Sequence, residues 1–315
     1  MMDLVLQIVL LLVGFVLLVK GADFFVDGAS GIAQMLKIPP LIIGLTIVAM
    51  GTSLPEMSVS VSAAIAHKNE LAIANAVGSN TFNLMVVCGF CAVLCPLTIQ
   101  RPIMLREYPI SLLSFAMLLV FGLLGMAVGR LEGIIMTLCF AAFLVWTVVS
   151  AMKARQLAPE SEEPRKKLPL WQCLLYIAGG AAAIIIGGDF VVDSASAIAL
   201  KFGMSENLVG LTIVAFGTSL PELVTSAVAA KKKEVDMALG NVIGSNIFNV
   251  LMVLGISAAI SPMGFTAENA IDLGVMLGFS LLVWIFCWTS KRLERWEGGI
   301  MLGLYAGYVG YICVR

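Results

Sequence analysis

Charge is what this 315-residue chain has least of. Asp, Glu, Lys and Arg make up 12% of it and apolar residues 60%, with a mean hydropathy of +1.01. A soluble domain carries about 25% charged residues. There is a single histidine, His67, which reads as a loop residue beside Lys68. Softer metals want His or Cys, and an intramembrane hydrolase using Ser53 or Ser219 would need an activating base such as His or Lys. No stretch is polar enough for a soluble domain, and the one polar linker, Lys153–Pro169, contains APESEEPRKK. The leader MMD lacks the positive charge of a signal peptide and no A-x-A-like site follows. Seven cysteines are scattered. Cys88, Cys91 and Cys95, at spacings of three and four, read as small apolar residues on one packed helical face, the alternative being a C-x-x-C redox or metal role for Cys88 and Cys91. No nucleic-acid partner, cofactor or obligate protein partner is expected.

What the chain has instead is long apolar runs, such as Leu4–Val19, Ile110–Val128 and Leu273–Trp288. Runs of about 18–20 such residues read as membrane-spanning helices. The pattern predicts an all-α polytopic membrane protein with ten spans, at about 3–34, 39–66, 70–96, 104–127, 131–152, 170–200, 206–230, 235–260, 268–290 and 297–314. The first and sixth are long enough to require tilt or a break. The linker 153–169 divides the chain into five-helix halves, 1–152 and 170–315.

The halves are copies. Residues 44–56 read GLTIVAMGTSLPE and residues 210–222 read GLTIVAFGTSLPE, differing only at Met50 and Phe216. GSNTFN at 78–83 returns as GSNIFN at 244–249, and GADFFVDGASGIA at 21–33 as GGDFVVDSASAIA at 187–199. The offset is 166 throughout. Five spans is an odd number, so a second copy enters the membrane from the opposite side, an inverted repeat. Charge placement sets the orientation. Loops after spans 1, 3, 5, 7 and 9 hold Lys37, Arg101, Arg106, Lys153, Arg155, Arg165, Lys166, Lys167, Lys231, Lys232, Lys233, Lys291, Arg292 and Arg295. The other side holds Lys68, Arg130, Lys201 and Arg315. The positive-inside rule places the linker in the cytoplasm and both termini outside. Lys231–Lys233 reads as a solvated turn. Asp23 with Asp27, and Asp189 with Asp193, share helical faces and read as interfacial anchors or as attractors of cations at a vestibule.

Each copy places a carboxylate, Glu56 or Glu222, in an otherwise apolar stretch, and an intramembrane carboxylate is functional by default. Pro55 and Pro221 precede them. Proline lacks an N–H and clashes with the carbonyl four residues earlier, which predicts a broken helix with freed carbonyls at Gly51 and Thr52. Such carbonyls are tolerated at membrane depth only beside protein or a hydrated cavity. With Thr52 and Ser53, and with Thr218 and Ser219 in the second copy, the result is a cluster of hard oxygens. Ser79 and Asn83, like Ser245 and Asn249, are four apart on one helical face, and Asn75 and Asn241 extend the stripe. Calcium takes six to eight oxygens in irregular geometry, whereas magnesium gives up water reluctantly. Two glutamates balance one calcium, and the same cluster suits several sodium ions.

At these residues the chain resembles the calcium/cation antiporter superfamily, in particular prokaryotic sodium/calcium exchangers, whose two alpha-repeats look like GTSLPE with GSNTFN (within 44–89) and GTSLPE with GSNIFN (within 210–255). The resemblance implies a core of spans 2, 3, 7 and 8 with the ion site at mid-membrane, across which spans 1 and 6 slide. It implies Glu56 and Glu222 as central calcium ligands, with the Thr52 and Thr218 carbonyls. Ser53, Ser219, Ser79 and Ser245, with the Ala49 and Ala215 carbonyls, would bind sodium, and Asn83 and Asn249 would complete the centre. Several members of the family carry Asp at the position of Asn249, an acid linked to potassium in potassium-dependent exchangers, so Asn here argues against potassium cotransport. The expectation is an antiporter of the plasma (inner) membrane, not an enzyme, exchanging sodium for calcium by alternating access. Its partners would be inorganic cations and the bilayer, and the alternative is a proton-driven calcium exchanger.

Overall fold

The computed structural model describes residues 2–157, 168–204 and 215–314. In chain order the first half comprises α1 (Met2–Leu36), α2 (Pro40–Ile43), α3 (Ala49–Thr52), α4 (Leu54–Ile65), α5 (Asn69–Phe82), α6 (Cys88–Leu94), β1 (Leu97–Thr98), α7 (Tyr108–Gly125), β2 (Ala127–Val128) and α8 (Arg130–Leu157). The second comprises α9 (Leu170–Lys201), α10 (Ala215–Gly217), α11 (Leu220–Lys231), α12 (Val235–Ile247), α13 (Gly255–Ile260), β3 (Met263–Gly264), α14 (Ala267–Ser290), β4 (Arg292–Leu293) and α15 (Arg295–Val314). Among the described residues eight helices are long and apolar enough to cross a membrane, and a ninth candidate is the bent pair Pro40–Thr52 and Leu54–Ile65. The remaining span expected, 206–230, is described only from Ala215, so its first part lies outside the described residues.

The first and sixth spans are long without a break. α1 has 35 residues and α9 has 32, or about 50 Å each at 1.5 Å per residue, so tilt absorbs the excess over the hydrocarbon thickness. They pack antiparallel, backbone against backbone. A methyl group built on Gly14 meets the Gly187 carbonyl oxygen at 2.8 Å, one on Gly21 meets that of Gly180 at 2.9 Å, and one on Gly28 meets that of Cys173 at 2.7 Å. The contacts recur every seven residues on both helices. Small residues at such a seam let membrane helices approach closely.

The buried centre lies among the other spans. The hydropathic windows of the helices through α5–α6 and through α12–α13 are 72% and 78% buried, against 17% for α1, so these two are the central elements. Span 2 lies against α12 through glycine as well: a methyl on Gly44 comes 2.5 Å from the Met237 carbonyl oxygen, and one on Gly240 comes 2.7 Å from that of Leu41. Two short antiparallel pairings tie loops of opposite halves together, β1 with β4 and β2 with β3. The duplication reaches the turns: His67 and Lys233, 166 apart, both have positive φ, at 57° and 66°.

The symmetry fails at one turn. Lys232 directly follows α11, and its Nζ lies 2.6 Å from Asp23 Oδ1 and 2.7 Å from Asp27 Oδ1, and donates to the Asp23 carbonyl at 2.9 Å. It is therefore engaged with α1 rather than simply solvated. The matching position in the first half is Ala66, with nearly the same backbone angles (φ −80°, ψ 4° against φ −78°, ψ 2°) and no ammonium to offer. Asp189 and Asp193 instead border a cavity of about 440 Å³, together with Ser58, Pro55, Thr218 and Pro221. His67 is less isolated than a loop residue, with Nδ1 3.2 Å from Ser261 Oγ. Cys95 has left the helix (φ −149°, ψ 120°), so the face expected for three cysteines holds only Cys88 and Cys91.

Candidate ion-binding site

The two duplicated phrases form two broken helices. Ser53 (φ −89°, ψ 13°) interrupts span 2, and the axis turns by 50° between Thr52 and Leu54. Ser219 (φ −94°, ψ 4°) does the same before α11. Pro55 and Pro221 occupy the opening positions of α4 and α11, where a missing N–H costs nothing. Each glutamate follows directly, in the first turn of the new helix, where the helix dipole favours negative charge. The break thus presents an acid and two hydroxyl residues at one depth.

Glu56 and Glu222 are both fully buried, and the serines bridge the halves reciprocally. Ser53 donates to Glu222 Oε1 at 2.7 Å, and Ser219 donates to Glu56 Oε1 at 3.4 Å. Ser79 also donates to Glu56 Oε1, at 3.4 Å. The second oxygens, Glu56 Oε2 and Glu222 Oε2, have no hydrogen-bond partner among the described residues, nor do Asn83 Oδ1 and Nδ2 or Asn249 Oδ1. No lysine or arginine pairs with either acid among the described residues. A buried carboxylate without a counter-charge is strongly unfavourable. The unpartnered oxygens on two acids and two amides are hard donors of the kind that calcium or sodium takes, and such an ion, as cargo, fits these residues by charge and by chemistry.

The other expected members fall around this centre with differing engagement. Thr52 is buried and its hydroxyl contacts Asn241 Oδ1 at 3.1 Å and the Ala49 carbonyl at 3.3 Å. That carbonyl also accepts from Ser53 N at 3.1 Å and from Ser245 Oγ at 3.4 Å, so it is already well supplied with donors. Thr218 borders the open cavity. The backbone of Ala215 opens α10, and the residues before it lie outside the described chain. Asn75 and Asn241 brace the helices rather than facing the acids: Asn75 Nδ2 donates to Ser60 Oγ at 3.0 Å, and Asn241 Nδ2 to Ser226 Oγ at 2.9 Å. These two bonds are themselves related by the 166-residue offset.

Two features escaped the sequence. Asn83 begins a π-helical turn, Asn83–Val87, and Asn249 lies in another, Phe248–Leu254. Such turns are frequent at functional sites, but neither stretch contains Pro or Gly to announce one. Asn80 is also fully buried, accepting from Asn249 Nδ2 at 3.1 Å and donating to the Asn246 carbonyl at 3.1 Å. It lies one residue off the i, i+4 stripe of Ser79 and Asn83, and that periodicity passes over it.

The family model described as sodium/calcium exchanger protein matches residues 6–149 and 173–314. The chain is 41% identical over 308 residues to the putative antiporter CaxA of Alkalimonas amylolytica, covering 95% of this chain and 96% of that one. It is 35% identical to the inner membrane protein YrbG of Escherichia coli (strain K12), covering 97% and 95%. Among solved structures it is similar to the sodium-calcium exchanger NCX_Mj soaked with Na+ and Sr2+, with a TM-score of 0.85 and 32% identity over 98% of this chain and 99% of the other. The helices described above are thus those of an integral membrane transporter rather than an enzyme, and the chain belongs to the sodium/calcium exchanger protein family.

Proposed function

We propose that this protein exchanges sodium for calcium across the membrane by alternating access, with Glu56 and Glu222 as the shared central ligands. The observation that carries the reading is the pair of fully buried carboxylates, each braced by a serine of the opposite half and each keeping one oxygen without a hydrogen-bond partner among the described residues. One calcium neutralises both acids; several sodium ions do the same in its absence. Asn83 and Asn249 complete the centre, with the serines 53, 79, 219 and 245, the carbonyls of Thr52 and Thr218, and those of Ala49 and Ala215 at its sodium-binding margins. An occupied site is nearly neutral and crosses between states, whereas an empty one leaves two bare charges and does not. That difference enforces exchange over leak.

The architecture we assign is ten spans in two inverted halves, 1–152 and 170–315. Two features favour it. α1 and α9 are copies of each other yet run antiparallel. β1 matches β3 at the 166-residue offset yet pairs with β4, so the loop after span 3 shares a face with the loop after span 9. With the basic loops inside, the linker is cytoplasmic, both termini are outside, and the protein works in the inner membrane.

In this frame the conformation is outward-open. The cavity bordered by Asp189, Asp193, Thr218 and Pro221 opens outside, and the Lys232 ion pair with Asp23 and Asp27 closes the cytoplasmic end. Replacing Lys232 by alanine is expected to deplete the outward-open population. A membrane-impermeant maleimide should then modify a Ser58→Cys reporter in the cavity at least about threefold more slowly. An unchanged rate means that this ion pair does not hold the end shut.

The driving ion is tested in liposomes. Calcium uptake is expected under an imposed sodium gradient at constant pH, and only background uptake under a pH gradient without sodium. Uptake driven by the pH gradient alone would replace sodium by the proton, with the same glutamates as carriers.

A further inference from the structure

We infer that Asn80 is a positioning residue of the ion site, fixing the amide of Asn249 so that its oxygen faces the cation; this rests on the ligand set proposed above. A primary amide is a planar group with a donor end and an acceptor end, and only the acceptor end can hold a cation. Asn249 has its donor end committed, because Nδ2 donates to Asn80 Oδ1 at 3.1 Å. Its Oδ1 is left buried and without a partner among the described residues. Asn80 is itself held, since its Nδ2 donates to the Asn246 carbonyl at 3.1 Å. The chain of bonds therefore runs from a backbone atom of α12 through Asn80 on α5 and back to the π-helical turn that carries Asn249. With both asparagines fully buried, turning the Asn249 amide over would set its Oδ1 against Asn80 Oδ1, and turning that of Asn80 would set donor against donor at Asn249 and acceptor against acceptor at the Asn246 carbonyl.

The sequence duplication sharpens the point. At the 166-residue offset Asn249 corresponds to Asn83 and Asn80 to Asn246. The corresponding bond is not made: Asn83 Nδ2 and Oδ1 and Asn246 Oδ1 all lack partners among the described residues. One ligand amide is thus held by a hydrogen bond that the other lacks among the described residues. The alternative role for Asn80 is simply to join two helices, as asparagine often does in membrane proteins.

A double-mutant cycle on calcium-dependent exchange in liposomes separates the two. Asn80→Ala is expected to raise the calcium KM about fivefold, as for loss of one buried hydrogen bond, and Asn80→Ser, a milder change, to shift it in the same direction. In an Asn249→Ala background, Asn80→Ala is expected to add less than about twofold, because the oxygen it positions is gone. An equal increment in both backgrounds, or none in the parent, overturns the inference and leaves Asn80 as a helix tie. An Asn249→Ala protein with unaltered calcium KM overturns the ligand assignment itself, and that variant alone identifies this case.

Discussion

Glutamine in place of Glu222 is expected to lower calcium exchange to background while raising the thermal stability of the ion-free protein. Both effects have one cause. In the ion-free state two carboxylates lie buried with hydroxyl donors against them and no lysine or arginine paired to them among the described residues, so removing one charge relieves repulsion and desolvation. With calcium bound, the same charge is half of the counter-charge of a divalent ion. Breaking a buried charge pair costs about 3–5 kcal/mol, or two to nearly four decades of apparent affinity at 1.36 kcal/mol per decade. Glutamine keeps the shape and an Oε1 that accepts from Ser53, so folding is spared. Glu56→Gln should behave likewise. Two measurements check this: tracer calcium flux under a sodium gradient, and unfolding midpoints with and without calcium. The parent should gain several degrees from saturating calcium, since ligand at a hundred times its Kd contributes about 2.7 kcal/mol, and the variants should gain none. Normal flux in either variant removes the glutamates from the site; a lowered ion-free midpoint assigns them to structure.

Much of this was legible in the sequence for a definite reason. A carboxylate in hydrocarbon is so costly that its presence twice, each time after a proline, left little room for a bland reading. The amphipathic logic of soluble helices was of no help, but apolar length alone placed nearly every described span to within a few residues. What remained hidden is of another kind. The π-helical turns at Asn83 and Asn249 are set by packing and leave no local mark. Asn80 sits off the helical stripe that singled out Ser79 and Asn83, and its function comes from a contact 169 residues away. Lys232 looked like one of three solvated lysines because its partners, Asp23 and Asp27, lie in the other half of the chain. The duplication could suggest that equivalent positions do equivalent work; it could not say where the copies part, as at Ala66 against Lys232 or at Asn83 against Asn249. Gly14, Gly21 and Gly28 were in view as well, yet a seven-residue glycine spacing acquires meaning only once a second helix is known to carry Gly187 and Gly180 opposite.

That seam gives the second large effect. Leucine at Gly180 is expected to disable transport and to lower the unfolding midpoint by at least about 5 °C, while leucine at its neighbour Gly179 changes the midpoint by no more than about 2 °C. A carbon added at Gly180 meets the Gly21 carbonyl oxygen at 2.7 Å, Phe25 N at 2.7 Å and Phe25 Cα at 2.9 Å, whereas one added at Gly179 meets nothing within 4 Å. Optimal carbon contacts lie at about 3.5–4.0 Å, so even the first carbon asks for roughly 1 Å more room. Overpacking usually costs about 1–3 kcal/mol because side chains yield. Here the obstacle is backbone, which has no rotamer to change, so α1 and α9 must separate along their shared length. The seven-residue repeat of the contact spreads that separation to Gly14 and Gly28. Transport should fall further than stability, because α1 also carries Asp23 and Asp27, whose grip on Lys232 depends on where α1 lies. Gly180→Ala, with one carbon, should fall between the parent and the leucine variant in both midpoint and flux. Equal midpoints for the two leucine variants would mean that the α1–α9 seam is looser than its backbone contacts require, and that the two helices do not move as one body.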